Sequence, residues 1–584
     1  MYASHRLAGR VLAAFMMCSL LLSGSTNAGA QPPGTALPRY AVIMVLDGAR
    51  PDYFTFANMP NLHWLMQHGT TYNQAFVGQM MADTPPSHAT IGTGLFPKHN
   101  GVLGFWWKDS GADRMTRPTD PAPVEAGVLE RVLSSHGAPT IAGQVHAKYP
   151  RAQVVSVAGH KCYAADAMGG ASANDILCAL IYHDRWVAQA MGTHRPPPGA
   201  INNPSFDYPI PNPKSGFAPA VEQWNLGGEN DWTVKYALWA FHRVHYPRVL
   251  MMNLGETDVL GHFAQQPQRV MGSLMQHYDR ELGQIIAAYR AAGILSQTDF
   301  VVTADHGMSR VGARISFGDL KQAVQMSGTT QVFIEADTGA TIGIADESKS
   351  RGVALNVAHL GGAAIDATYY ATTVHGRQVF RAAYVRPGLS PGVLRAYNSL
   401  VNTEEPDAGG DVIAVYAPHV TTGNRVANGY QWLAGHLGPQ WDEQHIPLIV
   451  AGAGVRHGAT SNFPARLVDI APTVERLLGV ATGRVDGHVL ADALQDPTPG
   501  EHAEQARVGA QLYPIVAALR ERSGQPPEWA GQKGSIVALG ARPPCTLLTC
   551  RISHRSILAG TIAGTLLIIL CAYLLWFSPR RRAV

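Results

Sequence analysis

The sequence predicts an α/β fold in which a mostly parallel central sheet is covered by helices on both faces. Apolar runs typical of buried strands alternate with helical patterns, and this β-α-β rhythm is the pattern that parallel sheets require. Four of the apolar runs end at, or lie beside, an Asp or His residue. Because open α/β sheets build their active sites at the carboxyl ends of strands, the pattern also predicts an enzyme.

The first element is the apolar run YAVIMVL (40–46), which we interpret as a buried strand ending just before Asp47. A helical pattern then begins near Met59 and stops at Gly69, since glycine commonly terminates helices. A further helix is predicted to start at Thr84.

Two later helix–strand units repeat this order. A helical pattern from about Asp231 leads into the strand before Asp258, and a second one (270–293) leads into the strand before Asp305. The fourth apolar run, IPLIVAG, comes about ten residues after His436. These units predict one catalytic domain over residues 38–494.

Residues 315–430 separate the third apolar run from the fourth and have a mixed pattern of their own. We expect them to form an inserted cap beside the sheet, a common place for residues that select the substrate. Residues 495–555 are predicted to form a peripheral helix and a stalk.

Both ends of the chain carry apolar segments. Residues 1–30 resemble a signal peptide, with Arg6 and Arg10 before an apolar stretch and a small-residue cleavage site at Ala30. Residues 556–577 are uncharged and long enough to cross a bilayer, which predicts a C-terminal transmembrane helix and a cytoplasmic tail at 578–584. We therefore expect an exported protein anchored in the cell membrane, with its catalytic domain on the periplasmic or extracellular side.

Four cysteines lie outside the two apolar segments. An oxidising compartment makes disulfides plausible, and the spacing favours the local pairs Cys162–Cys178 and Cys545–Cys550.

Three carboxylates and three imidazoles are collected at the four strand ends. They are Asp47, Asp258, His262, Asp305, His306 and His436. This donor set is about what two zinc-like ions need, once a nucleophile and substrate oxygens are added. Other divalent ions also bind Asp and His, so the pattern does not fix the metal.

The candidate nucleophile is Thr84. At a helix N-terminus its oxygen would lie where free N–H groups and the helix dipole favour an anion. The alternative is that Thr84 only caps that helix, which is the commoner role for such a threonine.

With these motifs the chain resembles the alkaline phosphatase superfamily, in particular its type I phosphodiesterase/nucleotide pyrophosphatase branch, with phosphonoacetate hydrolase-like relatives nearby. The resemblance implies a three-layer sandwich and a zinc ion held by Asp258, His262 and His436. A second zinc would be held by Asp47, Asp305, His306 and the Thr84 hydroxyl, and Thr84 would form a threonine-phosphate intermediate. His445 is a rival to His436, which the family's spacing favours.

The chain departs from the family at one position. Phosphodiesterases of this branch carry an asparagine twenty-one positions after the nucleophile, where this chain has Phe105. Phe105, Trp106 and Trp107 would then offer an apolar wall, while His160 and Lys161 could supply charge to the substrate. The alternative for Lys161 is an ordinary solvated lysine.

These observations favour a two-metal hydrolase that cleaves phosphodiester or pyrophosphate bonds in small phosphate esters. A phosphomonoesterase or a phosphonate hydrolase is an alternative use of the same site, and a non-catalytic binding module is a third. The net charge of +3, with no long basic runs, gives no support for binding nucleic-acid polymers. The oligomeric state is left open.

Overall fold

The computed structural model describes residues 40–524, with gaps at 109–114, 117–126, 183–184, 193–225, 265–266, 407, 424–425 and 428–429. The strands are β1 (Tyr40–Leu46), β2 (Gly69–Tyr72), β3 (Trp107–Lys108), β4 (Met115–Thr116), β5 (Val154–Ala158), β6 (Asp175–Tyr182), β7 (Arg185–Gly192), β8 (Val249–Leu254), β9 (Thr298–Thr303), β10 (Ser309–Arg310), β11 (Ala313–Ile315), β12 (Gln331–Ala336), β13 (Gly339–Ile344), β14 (Ile365–Val374), β15 (Arg377–Val385), β16 (Val412–Tyr416), β17 (Val420–Thr422), β18 (Val426–Ala427), β19 (Tyr430–Gln431), β20 (Ala434–Gly435), β21 (Leu448–Gly452) and β22 (Ala459–Ser461).

The α-helices span Pro60–Gln67, Thr84–Thr93, Pro97–Asn100, Val128–Ser135, Ile141–Lys148, Cys162–Gly169, Gly228–Arg243, Glu256–Phe263, Pro267–Ala291, Phe317–Met326, Ser350–Gly361, Pro391–Val401, Trp441–Gln444, Ile470–Leu477 and Pro499–Ser523. Short 3-10 helices span Pro51–Thr55, Leu295–Gln297, Glu347–Lys349, Gly362–Ala364, Leu467–Asp469 and Ala491–Ala493.

The larger sheet has nine strands in the order β22-β2-β21-β9-β1-β8-β5-β6-β7. Its centre, β9-β1-β8-β5-β6, is parallel, whereas β21 runs antiparallel to β9. Because β21 runs against its neighbours, the residues that precede it lie at the same edge as the carboxyl ends of β1, β8 and β9. The reversed direction of β21 thus brings the fourth apolar run to the edge where the other three end.

Two groups of helices pack on this sheet. One group includes Gly228–Arg243 and Pro267–Ala291, and the other includes Thr84–Thr93, Cys162–Gly169 and Ile470–Leu477. Strands β5, β8 and β9 are buried along their whole length, and β1 is buried after Tyr40, since both of their faces are covered by helices. The predicted α/β sandwich, a mostly parallel central sheet with helices on both faces, is therefore confirmed.

A second sheet of five antiparallel strands, in the order β12-β13-β16-β14-β15, occupies much of the region between β9 and β21 in sequence. The helices Phe317–Met326 and Ser350–Gly361 pack on it in one apolar cluster, while Pro391–Val401 and Pro499–Ser523 contribute to another. The second sheet therefore has a hydrophobic core of its own beside the larger one.

The Cys162–Cys178 disulfide is present and ties the start of the helix Cys162–Gly169 to β6. The pair Cys545–Cys550 lies outside the described residues.

The predicted fold class needs one correction, which concerns the transmembrane helix. Between residues 40 and 524, where the structure describes the chain, no helix combines the length and apolar character that crossing a bilayer requires. The two longest helices, Pro267–Ala291 and Pro499–Ser523, carry charged residues and bury only part of their surface. Four predicted segments lie outside the described residues: the signal peptide 1–30, the stalk after Gly524, the transmembrane segment 556–577 and the tail 578–584.

Candidate active site

Three predicted carboxylates meet at the carboxyl edge of the parallel strands. Asp47 follows β1 directly, Asp305 lies two residues beyond β9, and Asp258 lies in the first turn of the helix that follows β8. Each is at most 5% exposed. The chain therefore concentrates buried acidic groups at one edge of its sheet.

Thr84 is the first residue of the helix Thr84–Thr93, and the side chain of Asp83 caps that helix by accepting a hydrogen bond from the Thr84 N–H (2.9 Å). The Thr84 hydroxyl instead faces the strand ends. Its Oγ1 lies 3.5 Å from Asp47 Oδ1, 3.4 Å from His306 Nε2 and 3.3 Å from Lys161 Nζ. The capping role thus falls to Asp83, while Thr84 lies among the predicted ligands.

The three predicted histidines share one orientation. His262, His306 and His436 each place Nδ1 at 2.8–2.9 Å from a backbone carbonyl oxygen. A carbonyl only accepts, so Nδ1 carries a proton in each ring and Nε2 is the nitrogen left to face the site. Burial would lower the pKa of His436, but its hydrogen bond to Asp258 and the charge of that carboxylate raise it to about 10 in the metal-free protein. All three Nε2 atoms face site carboxylates. A backbone hydrogen bond on the outer nitrogen is how metal-ligating histidines are usually held.

The distances between these side chains fit the binding of divalent cations. Ligand atoms of Asp258, His262 and His436 lie within 4.8 Å of one another, as do those of Asp47, Asp258 and His306. Asp258 Oδ1 lies 3.1 Å from His262 Nε2 and 3.2 Å from His436 Nε2, yet it has no well-aligned hydrogen bond. Buried donor atoms that converge without satisfying one another are what a metal site requires.

Lys161 supplies positive charge inside this cluster. Its side chain is 4% exposed, and its Nζ lies 2.7 Å from both Asp47 Oδ1 and Asp258 Oδ2. Burial by itself would lower the pKa of Lys161, but the carboxylates of Asp258 and Asp47 outweigh it and raise that pKa well above its ordinary value. Lys161 is therefore a buried ammonium of the site and not a solvated lysine.

The pKa values of Asp47 and Asp258, the two carboxylates that contact Lys161, are shifted in opposite directions. Burial, followed by the charge of Asp305, raises the pKa of Asp47. Burial also acts upward on Asp258, but Lys161 and then His262 outweigh it, so the pKa of Asp258 lies well below its usual range. The difference follows from their neighbours, because Asp47 faces another carboxylate whereas Asp258 faces two imidazoles as well as the lysine.

A cavity of about 370 Å³ opens beside Thr84 and Lys161. Five aromatic side chains line it: Phe105, Trp106, Tyr163, Phe263 and Trp432. The rings of Phe105 and Tyr163 meet edge to face with centroids 5.4 Å apart. The predicted substrate contacts Phe105, Trp106 and Lys161 thus line one cavity together with Thr84.

Three other residues weighed in the sequence have their partners outside the cluster of predicted ligands. His445 places Nε2 3.0 Å from the Asn73 carbonyl oxygen and stacks on Trp441, so the position near Asp258 is taken by His436. His160 pairs through Nδ1 with Glu229 at 2.7 Å, at the edge of the cavity. Trp107 packs in a separate apolar cluster.

Two positioning side chains were missed by the sequence reasoning. Asn253 donates from Nδ2 to Asp47 Oδ2 at 2.9 Å. It is a polar residue inside the apolar β8 run, which is a signal that could have identified it. Glu335, on β12, accepts from the backbone N–H groups of Phe105 (3.0 Å) and Trp106 (3.3 Å). No motif marks Glu335, because it lies 230 positions from Phe105 and is brought there only by folding.

Glu335 also borders Asp83, the residue that caps the Thr84 helix. Burial, followed by the charge of Asp83, raises the pKa of Glu335 well above its ordinary value. Glu335 is therefore a hydrogen-bonding link between the second sheet and the loop at Phe105.

Comparison with known families finds a match over residues 41–418 to the model described as type I phosphodiesterase/nucleotide pyrophosphatase. Among curated proteins, the chain is 23% identical over 489 residues to the alkaline phosphatase PhoD of Zymomonas mobilis. That alignment covers 73% of this chain and 82% of the relative.

Solved structures share the fold at low sequence identity. The alkaline phosphatase PafA superimposes with a TM-score of 0.58 at 15% identity, covering 79% of this chain and 99% of PafA. Human ectonucleotide pyrophosphatase/phosphodiesterase 5 superimposes with a TM-score of 0.52 at 16% identity, covering 78% and 100%.

Proposed function

Because the chain belongs to the type I phosphodiesterase/nucleotide pyrophosphatase family, a family of metal-dependent phosphoric ester hydrolases, we propose that Thr84 is its nucleophile and that two zinc ions complete its site. The observation that carries the proposal is the position of Thr84 Oγ1, within 3.5 Å of Asp47, His306 and Lys161. Its place at a helix N-terminus adds N–H groups that favour an anion.

The proposed metal ligands form two sets. Asp258, His262 and His436 would hold one zinc, and Asp47, Asp305, His306 and the Thr84 hydroxyl would hold the other. When bound, such a pair of ions stabilises the negative charge that develops on the attacking and leaving oxygens.

The chain's own residues would then act as follows. Thr84 Oγ attacks phosphorus as the bond to the leaving oxygen breaks, which forms a threonine-phosphate ester, or a nucleotidyl-threonine when the substrate is a nucleotide. Water hydrolyses that ester and restores the hydroxyl. Lys161 lies 3.3 Å from Oγ1, so its charge favours both an ionised hydroxyl and an anionic phosphoryl group.

We favour phosphodiester or pyrophosphate bonds in small molecules as the substrate. The cavity of about 370 Å³ beside Thr84 gives room for a second substituent on phosphorus. Its aromatic wall at Phe105 and Trp106 suits an apolar or planar group.

Phosphomonoester hydrolysis is the second candidate, with phosphonate hydrolysis as a variant of it. The observation that favours it is Lys161, whose buried charge suits a phosphoryl dianion. The names of two similar proteins, the alkaline phosphatases PhoD and PafA, agree with this candidate.

The test compares bis-p-nitrophenyl phosphate, p-nitrophenyl phosphate and phosphonoacetate as substrates of the zinc-loaded protein. We expect Thr84→Ala to lose about 10³-fold or more of the turnover. Thr84→Ser keeps a hydroxyl and should retain far more, which makes it the matched control. Faster turnover of the diester supports the first candidate, and faster turnover of the monoester or the phosphonate supports the second.

No turnover of any of the three substrates would contradict both candidates and favour a non-catalytic binding module. Equal activity of wild type and Thr84→Ala would rule out Thr84 as the nucleophile.

We also propose that the protein is exported. The Cys162–Cys178 disulfide supports a location in an oxidising compartment, as does the signal-like segment 1–30. N-terminal sequencing of the protein from its host should find Gln31 as the first residue. A chain that keeps residues 1–30 and remains in the cytoplasmic fraction would refute export.

A further inference from the structure

A second group of ligand-type side chains lies outside the site described above, between the helices Gly228–Arg243 and Pro267–Ala291. Asp231, His277 and Glu281 each place one ligand atom within 4.8 Å of the other two. His277 and Glu281 are four positions apart on one helix, so they share a face, while Asp231 comes from the other helix. These helices pack against each other.

Glu281 is the member that requires explanation. Its side chain is 0% exposed, neither carboxylate oxygen is paired with an N–H donor, and its hydrogen-bonding neighbour is another carboxyl group, that of Asp231. One of those oxygens belongs to the group of three ligand atoms, so the carboxylate points into it. Burying a carboxylate without donors is costly, and natural proteins offset that cost with a proton or a cation.

The surroundings of Glu281 are predominantly negative. Burial, then the charge of Glu256 and then that of Asp231, raises the pKa of Glu281 well above its ordinary value. Glu256 is itself fully buried and accepts from two backbone N–H groups of residues 227 and 230. The cation near this group is Arg280, which is exposed and donates to His277 Nδ1 at 2.8 Å.

His277 is in the form that binds metals. Arginine can only donate, so the hydrogen bond from Arg280 to His277 shows that Nδ1 carries a lone pair and not a proton.

We propose that Asp231, His277 and Glu281 bind one divalent transition-metal ion that tethers the helices Gly228–Arg243 and Pro267–Ala291. Two carboxylates and one imidazole suit zinc or manganese, because imidazole nitrogen is a ligand that calcium and magnesium rarely use. This ion would be additional to those bound at the strand ends, and the inference does not depend on the proposed reaction.

The experiment counts zinc. Full-length wild type and the variants Glu281→Gln and His277→Ala are saturated with Zn²⁺ and desalted, and the zinc bound per chain is measured by mass spectrometry. Glu475→Gln is the matched control, since Glu475 is also buried with two unpartnered oxygens but belongs to no ligand group in the part of the chain that the structure describes.

We expect Glu281→Gln and His277→Ala each to carry one zinc fewer per chain than wild type, and Glu475→Gln to match wild type. The same difference should appear in an Asp305→Ala background, which separates this site from the strand-end ligands. Equal zinc content in wild type, Glu281→Gln and His277→Ala would overturn the proposal and indicate a proton shared by Glu281 and Asp231. If Glu281→Gln fails to fold, His277→Ala decides, because its ring is only half-buried.

Discussion

The buried carboxylates of this protein differ in what compensates their charge. Those at the strand ends face Lys161 and imidazoles, and Asp258 remains ionised in that setting. Glu475, in the helix Ile470–Leu477, has no such partner, and burial raises its pKa to about 8. A buried carboxylate with cationic neighbours, such as Asp258, therefore keeps its negative charge in the site. One without them, such as Glu475, makes the stability of the fold depend on pH.

Glu475 allows a test of pH dependence. Its folded-state pKa of about 8 lies above the ordinary value of 4.5, so the native state binds the proton more tightly than the unfolded state does. Its contribution to stability is fully present below about pH 4.5 and is lost as pH rises towards 8. The full loss is on the order of 5 kcal/mol, at about 1.4 kcal/mol per pKa unit.

In Glu475→Gln, the part of the pH dependence of the unfolding free energy that comes from Glu475 should disappear. Urea unfolding midpoints at pH 5, 6.5 and 8 should fall less steeply in the variant than in wild type. Glu504→Gln, which changes an exposed glutamate, should keep the wild-type slope. Identical slopes for wild type and Glu475→Gln would contradict the assignment.

At the scale of secondary-structure elements, the loop at Phe105 is held by a strand of the second sheet. Glu335 on β12 accepts two backbone hydrogen bonds from this loop, from Phe105 and Trp106, which line the cavity. The chain has an aromatic residue where the resemblance to its family predicts an asparagine, and the second sheet fixes the position of that residue.

We expect Glu335→Ala to raise KM for bis-p-nitrophenyl phosphate about tenfold, since losing two hydrogen bonds of about 1 kcal/mol each loosens the aromatic wall. The value of kcat should change less, because Thr84 and its neighbours are untouched. Glu335→Gln keeps an acceptor oxygen and serves as the control in the same steady-state kinetics. A fall in kcat at constant KM would instead place Glu335 in the chemical step.

At the scale of the whole molecule, the last described helix joins the two sheets. Asp366, on β14, accepts from Arg522 of the helix Pro499–Ser523 through two guanidinium nitrogens, at 2.6 and 2.8 Å. The same helix packs apolar residues into the core of the larger sheet. The strand-end ligands likewise come from positions spread between Asp47 and His436, so a bound ion would tie distant segments together.

Adding zinc to the metal-free protein should therefore raise its Tm, and the rise should grow with free zinc concentration, because a ligand that binds only the native state stabilises it. Differential scanning calorimetry over a zinc series measures this. Asp305→Ala should show a smaller rise, since it removes a buried ligand. A Tm that is independent of zinc in wild type would argue against metal binding at the strand ends.

Much of the architecture was predictable from local patterns. The run YAVIMVL could only be a buried strand, and Asp47 at its end had to lie at the carboxyl edge of a parallel sheet. The order of Asp258, His262, Asp305 and His306 along the chain was enough to suggest a metal-dependent hydrolase. Periodicity and spacing carry this information because strand burial and helix geometry are local properties.

The environment of individual side chains in the site could be determined only from the tertiary structure. Whether Lys161 is solvated or buried depends on Asp47 and Asp258, which lie about a hundred positions away on either side. The role of Glu335 depends on β12 reaching the loop at Phe105. The sequence by itself determined the α/β class of the catalytic domain and the kind of chemistry, since both follow from short-range pattern, whereas the transmembrane helix in the predicted fold class was wrong. Only the tertiary structure decided which charged groups contact each other and which residues line the cavity. These contacts join segments that are far apart in the sequence, and no local sequence pattern marks which distant segments will meet.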